Sequence, residues 1–295
     1  MPLTEYKQHK ALYLTCFPED SAADAEFLFQ TVLSKAECVS EYDGDRLVAM
    51  LFLMESGLCT GRGELPFYYL YAACTDPAYR GRGIMRRLLG KAQALAVQKG
   101  KDGIFLKPAN PPLFGFYAQS GFRPFFQCLK ITGSTDDFFA RYRAFQDRQG
   151  LPCESEIALE PCSLDDWYQR RLTLLPRFSD CYATLRKPLF RAATDGCRVV
   201  SDPKVAFAVY ETREDLLLIK EAIAPPEEPH RILSMAAALL CAGKQKRVEI
   251  RTPVSDNDAL LLDFGFQRTD FSVIWDAPLP ESLSAERPYH GFAFD

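Results

Sequence analysis

The densest chemistry in this 295-residue chain lies between Tyr69 and Arg87, YLYAACTDPAYRGRGIMRR. An apolar run with strand character ends at Thr75, Asp76-Pro77 interrupts it, and Arg80-Gly81-Arg82-Gly83 opens directly into a helical pattern. Glycine lets backbone N–H groups come close to a ligand, and a helix start adds partial positive charge. With Arg80, Arg82, Arg86 and Arg87 around the same spot, the stretch is suited to cradle an anion such as a pyrophosphate. A solvated basic turn that merely caps a helix is the plainer alternative. Other phosphate motifs are absent: no G-x-x-x-x-G-K-[ST] occurs, and the third glycine of a dinucleotide fingerprint would fall on Arg86. Gly61-Arg62-Gly63 lies between two strand-like runs and opens no helix, so it reads as a hairpin loop.

Metal chemistry finds no support. The 10 cysteines include no C-x-x-C pair, the three histidines (His9, His230, His290) lie far apart, and no H-E-x-x-H occurs. The cysteines read as small core hydrophobes, with a Cys-His catalytic pair assembled in space as the minor alternative.

The elements that must hold the Arg-Gly stretch follow from periodicity. Helical patterns cover Leu3 to Phe17 and then a segment capped by Ser21-Ala22-Ala23-Asp24, with Phe27, Leu28, Val32 and Leu33 on its apolar stripe. Cys38 to Tyr42, Arg46 to Met54 and Pro66 to Ala73 read as strands, the first two joined by an Asp43-Gly44 turn. Gly83 to Gln98 repeats Ile84, Leu88, Ala92 and Leu95 at helical spacing. A short strand (Gly103 to Lys107), a short helix (Leu113 to Gln119), extended chain (Arg123 to Thr132) and a helix (Thr135 to Gln149) follow. Gly150-Leu151-Pro152 stops that helix and marks a boundary between domains 1–150 and 151–295.

The second half replays the first. It offers a strand at Ile157 to Glu160, a helix capped by Ser163, strands at Val199, Val205 to Tyr210 and Leu216 to Ala222, and a helix from Arg231 to Cys241. A strand (Val248 to Arg251), a short helix (Asp258 to Asp263) and a last strand (Phe271 to Trp275) complete it. Phe105-Leu106-Lys107-Pro108 is echoed by Glu249-Ile250-Arg251-Thr252-Pro253, and Gly121-Phe122 by Gly265-Phe266 at nearly the same distance. A degenerate internal duplication accounts for this, and both halves read as mixed α/β. Where the front half has its Arg-Gly loop, the back has Ala224-Pro225-Pro226-Glu227-Glu228-Pro229-His230, poor in N–H donors and repulsive to a pyrophosphate.

The front half resembles the GNAT superfamily of N-acetyltransferases. The resemblance rests on Arg80 and Gly83 in an R-x-x-G-x pattern after Asp76-Pro77, with Tyr117 before Gly121-Phe122, and spans about residues 20 to 130. Met85 stands where Gly or Ala is usual. The arginine-rich loop and degenerate second half are similar to Eis-type (enhanced intracellular survival) acetyltransferases, over two domains and without their sterol-carrier-like domain. The implied fold is two GNAT-like domains in tandem on mixed sheets, the second degenerate.

The resemblance implies acetyl-CoA as cosubstrate. Main-chain groups of Ala73, Cys74 and Thr75 would hold the pantetheine arm, and Gly81, Arg82, Gly83, Ile84, Met85 and Arg86, with Arg80, the pyrophosphate. Asn110 and Phe114 would line the exit of the arm, and Tyr117 would give a proton to the departing thiolate. A central-strand glutamate, common in the family as base, is replaced by Tyr69. Glu64, Glu37 and Glu41 are weak substitutes, and the terminal carboxylate of Asp295, at the end of the aromatic tip His290-Gly291-Phe292-Ala293-Phe294, is the base that Eis-type enzymes suggest.

Charge bounds the partners. A net charge of −4 argues against a nucleic-acid or anionic-membrane binder, since both need a cationic surplus. No apolar run approaches the ~20 residues of a membrane span, and no signal-peptide layout opens the chain, so a cytoplasmic protein with reduced thiols is expected. The expected activity is direct transfer of an acetyl group to a primary amine of a small molecule or lysine. A non-catalytic acyl-CoA sensor is the alternative, and a homo-oligomer is compatible with either.

Overall fold

The computed structural model describes residues 3–149, 158–177, 181–186, 196–202, 206–276 and 288–290. Two helices, α1 (Leu3–Cys16) and α2 (Ala22–Thr31), open the chain, α2 closed at its start by the reciprocal Ser21–Asp24 capping box. Strands β1 (Glu37–Asp43), β2 (Arg46–Thr60) and β3 (Gly63–Thr75) form an antiparallel meander with two-residue turns at Gly44-Asp45 and Gly61-Arg62. β2 and β3 extend beyond the expected strands because their ladder continues to the Thr60↔Gly63 pair at the loop. Then follow α3 (Ile84–Gln98), β4 (Gly103–Leu106), α4 (Pro112–Ala118), β5 (Arg123–Ser134) and α5 (Thr135–Gln149).

The back half comprises β6 (Glu160–Pro161), α6 (Leu164–Leu174), β7 (Cys181–Leu185), β8 (Arg198–Ser201), β9 (Phe207–Arg213) and β10 (Leu216–Ile223). It ends with α7 (His230–Ala242), β11 (Arg247–Thr252), α8 (Ala259–Phe264) and β12 (Gln267–Asp276). Ser163 caps α6 through Asp166 N. β7 has no counterpart in the sequence reading; its five residues pair with the distal half of β2 and, through a bridge at Tyr182, with Tyr289. Gly150, Leu151, Ile157 and Val205 lie outside the described residues.

Among the described residues, all twelve strands belong to one sheet, ordered β1-β2-β3-β4-β12-β5-β11-β10-β9-β8-β6, with β7 on β2. The halves exchange strands at its middle. β12 lies antiparallel between β4 and β5, and β5 lies antiparallel between β12 and β11. Each half therefore completes its hydrogen-bonded ladder with a strand of the other. One apolar cluster joins them, with Tyr69, Phe105 and Phe126 beside Trp167, Phe207 and Tyr289. A second cluster packs α3 and α4 on the opposite face of the front strands, and a third packs α5 and α7 on the back. Among the described residues no helix is long and apolar enough to cross a membrane.

Candidate active site

β3 and β4 run parallel and paired only at Phe67↔Gly103, Tyr68↔Ile104 and Tyr69↔Phe105. Beyond that point β3 continues to Thr75 while β4 stays bonded to β12, so the two strands part. A bulge sharpens the divergence. The β2–β3 register shifts between Met50 and Phe52, and Ala72 takes φ +51°, a left-handed setting that costs an L-residue roughly 1–2 kcal/mol. Ala73, Cys74 and Thr75 thus stand at the splayed end, where an extended ligand arm can pair with main chain on the side away from β2.

The loop after Thr75 is held by short-range bonds. Asp76 Oδ1 accepts from Ala78 N at 2.9 Å and starts a tight turn, Pro77–Tyr79. Arg80 Nε donates to Thr75 O at 3.1 Å, folding the loop back over the strand end. Arg82 donates to Ala78 O at 3.1 Å, and its guanidinium lies 4.8 Å above the Tyr79 ring. Gly81 and Gly83 adopt φ +78° and +70°, and a Cβ built on either would meet no atom within 4 Å. Backbone conformation therefore requires glycine, and the space above is open.

Gly83 is also the N-cap of α3, whose first internal bond is Arg87 N to Gly83 O at 3.2 Å. The amides of Gly83, Ile84, Met85 and Arg86 are those that a helix leaves without an internal acceptor. Ile84 is buried, and Met85, where Gly or Ala is usual, is half-buried and rests against the apolar cluster under α3. Arg87 is drawn off by Glu41 at 3.1 Å, leaving Arg80, Arg82 and Arg86 as the exposed cations of the cradle.

Arg86 donates to Gln119 at the end of α4, and Gln93 on α3 donates to Ser120 O at 2.7 Å. These bonds place α4 beside the cradle. Asn110 is exposed and its carbonyl starts α4 by accepting from Leu113 N at 3.1 Å, while Phe114 is half-buried against the same core as Met85. Tyr117 is 7% exposed, its ring set between Phe116 and Phe122. Burial pushes its phenol up to about 12 by disfavouring the phenolate.

The substitute glutamates are poorly placed. Glu41 is bound by Lys91 and Arg87, which hold its carboxyl below the usual range. Glu37 pairs with Lys99 at 2.6 Å. Glu64 pairs with Arg186 at the far end of β3, eleven residues from Thr75, roughly 35 Å at strand rise. Tyr69 is buried where the strands part, its ring 5.3 Å from Phe105 and 5.4 Å from His290.

His290 is the residue the sequence reading missed here. It is 1% exposed, Nδ1 lies 2.7 Å from Ser272 Oγ, and Pro288–His290 are stitched to Gln127, Cys181 and Ala183 by main-chain bonds. The aromatic tip of the chain was the available signal. Asp295 lies outside the described residues. Among the described residues no group of three or more His, Cys, Asp or Glu is arranged to hold a metal.

A mixed sheet with a bulged strand, a parallel partner that splays from it, and an Arg-Gly loop leading into a helix together define the GNAT fold. Residues 1–125 match the acetyltransferase (GNAT) domain family. No curated protein matches the sequence. The fold is similar to that of a probable N-acyltransferase from Enterococcus faecalis V583 (TM-score 0.71, 14% identity, 94% of this chain and 71% of that one). It is similar to a GCN5-related N-acetyltransferase from Kribbella flavida (TM-score 0.64, 16% identity, 93% and 69%). Eis1 from Mycobacterium abscessus is a further likeness (TM-score 0.64, 12% identity, 94% and 72%), so the likeness to Eis-type enzymes holds at the level of fold.

Proposed function

We propose that the chain is an acetyl-CoA-dependent N-acetyltransferase that passes an acetyl group directly to a primary amine of a small molecule or a lysine. The observation that carries this reading is the junction of a splayed strand end with an open, doubly left-handed Arg-Gly loop at a helix start. Amides of Gly81, Gly83, Ile84, Met85 and Arg86, with the guanidinium groups of Arg80, Arg82 and Arg86, hold the diphosphate. Ala73, Cys74 and Thr75 add the pantetheine arm to β3 as a strand would be added, and an N–H there polarises the thioester carbonyl. Asn110 and Phe114 line the far wall. Tyr117 gives its proton to the sulfur as the C–S bond breaks, a role that its place on α4 beside the cradle supports.

The terminal carboxylate of Asp295 is the base that the likeness to Eis-type enzymes suggests. What supports it is the seat of His290, five residues upstream, against Tyr69 and Phe105. Unchanged turnover after deletion of residues 292–295 would remove that role. The overall reading is tested by calorimetry with CoA, followed by thiol release from acetyl-CoA across a panel of amines. Binding of one CoA with release of thiol is expected. Binding without release from any amine would mark an acyl-CoA sensor instead, and no binding would overturn the reading.

A further inference from the structure

On the face of β3 opposite α3, three oxygens stand in a row. Tyr13 of α1 is 1% exposed; its hydroxyl donates to the Asp20 carboxylate and lies 3.2 Å from the hydroxyl of Tyr71. A phenol carries one proton. With the Tyr13 proton committed to Asp20, the remaining bond must run from Tyr71 to Tyr13, and toward any further partner Tyr71 can only accept. Tyr71 immediately precedes the left-handed bulge residue Ala72, so this end of the row is at the point where the strands part. Asp20 is in the α1–α2 turn, and the end of α1 that leads into it meets the strand end through Cys16 Sγ, 3.6 Å from Thr75 O. The row thus leads from the splayed strands to the protein surface.

We propose that Tyr71, Tyr13 and Asp20 form the proton outlet for the acceptor amine. The inference rests on the acetyltransferase reading above and names its acceptor as a cationic primary amine. An ammonium N–H is donated to Tyr71 Oη; as its proton moves there, the Tyr71 proton passes to Tyr13 and the Tyr13 proton to the Asp20 carboxylate, which releases it to water. The freed nitrogen lone pair then forms the C–N bond, the C–S bond breaks, and the second ammonium proton balances the one that Tyr117 gives to sulfur. Burial raises the Tyr71 phenol to about 12 and the Tyr13 phenol further, so a standing phenolate is disfavoured and a coupled shift of protons suits the pair. Charged and titratable groups nearest the row are Tyr69 on β3, Cys16 and Glu19 beside the turn, and Cys74 and Arg80 across the strand end. The outlet stands as the alternative to the Asp295 carboxylate for the same proton, and it needs nothing from residues 291–295.

The test compares a strongly basic primary amine with a fluorinated one that is already neutral at pH 7, using the full chain. Tyr71→Phe and Tyr13→Phe should lower kcat/KM for the basic amine ~10²-fold and for the neutral one less than about threefold, since only the former must shed a proton. Asp20→Asn, on a half-buried turn, should give the same split while sparing the core, and thermal unfolding checks all three variants. In CoA-free protein labelled with 13Cζ-tyrosine, the Tyr71 resonance should move in both Tyr13→Phe and Asp20→Asn. Equal losses for both amines, or none for either, would overturn the outlet while the acetyltransferase reading stands. Wild-type protein that binds no CoA and releases no thiol would overturn both.

Discussion

In the front half β3 leaves β4 after Tyr69↔Phe105, and in the back half β10 leaves β11 after Ile219↔Ile250. Both long strands carry a register shift just there, at Ala72 in front and between Ile219 and Glu221 behind. What surrounds the two strand ends differs. The front end meets an exposed loop of two left-handed glycines and three cations. Behind, Leu217 to Ile223 are all buried, and Glu221 is bound by Arg171 at 2.9 Å and by the Tyr289 hydroxyl at 3.0 Å. The loop that should face a diphosphate there carries Pro225, Pro226 and Pro229, with Glu227 and Glu228 tied to Arg177 and Arg231. Topology supplies a splay twice; loop chemistry and the filling of the gap decide which splay can take a ligand.

The two strand ends should differ most at Tyr117, which only the front one has. Tyr117→Phe should lower kcat by ~10²–10⁴ with CoA affinity intact, if the front site alone performs acid catalysis. Wild-type turnover in that variant would show that the proton comes from elsewhere. Next in size is the filled splay: Arg171→Met leaves Glu221 buried without its cation and should cost ~3–5 kcal/mol in urea unfolding. Because β5 and β12 are exchanged, that loss should appear in one shared transition rather than in a back-half step.

Arg82→Ala should weaken CoA binding by ~1–3 kcal/mol through lost charge-assisted bonds, whereas Glu227→Ala with Glu228→Ala should leave one CoA per chain. Calorimetric stoichiometry on the whole chain is the appropriate measure, since neither half has a complete ladder alone. The smallest effect concerns thiols. Hydrogen bonding from Cys74, aided by Arg80, brings Cys16 down to about 7, while burial raises Cys162 in the back half. Alkylation of Cys16 should therefore rise through pH 7 and level off by pH ~8, with Cys162 responding at higher pH. Coinciding profiles would erase that contrast.

Signals confined to neighbouring residues were readable directly: the Ser21 and Ser163 caps, the Gly44 and Gly61 turns, the Arg-Gly loop, the helix bearing Tyr117, and the repeated order of elements. Each depends on the local backbone and on spacing along one helix or strand. The pairing of β7 with β2, the exchange of β5 and β12, the withdrawal of Arg87 by Glu41, the burial of His290 against Tyr69, and the Tyr71–Tyr13–Asp20 row were not. Apart from the Tyr13–Asp20 bond, these join residues 46 to 221 positions apart or depend on which face a bulge turns toward the core, and no local pattern records that. Amino-acid order alone determined where an anion could be gripped; the sheet's long-range pairings decided which residues stand opposite it, because partners across strands are chosen by packing of the whole core.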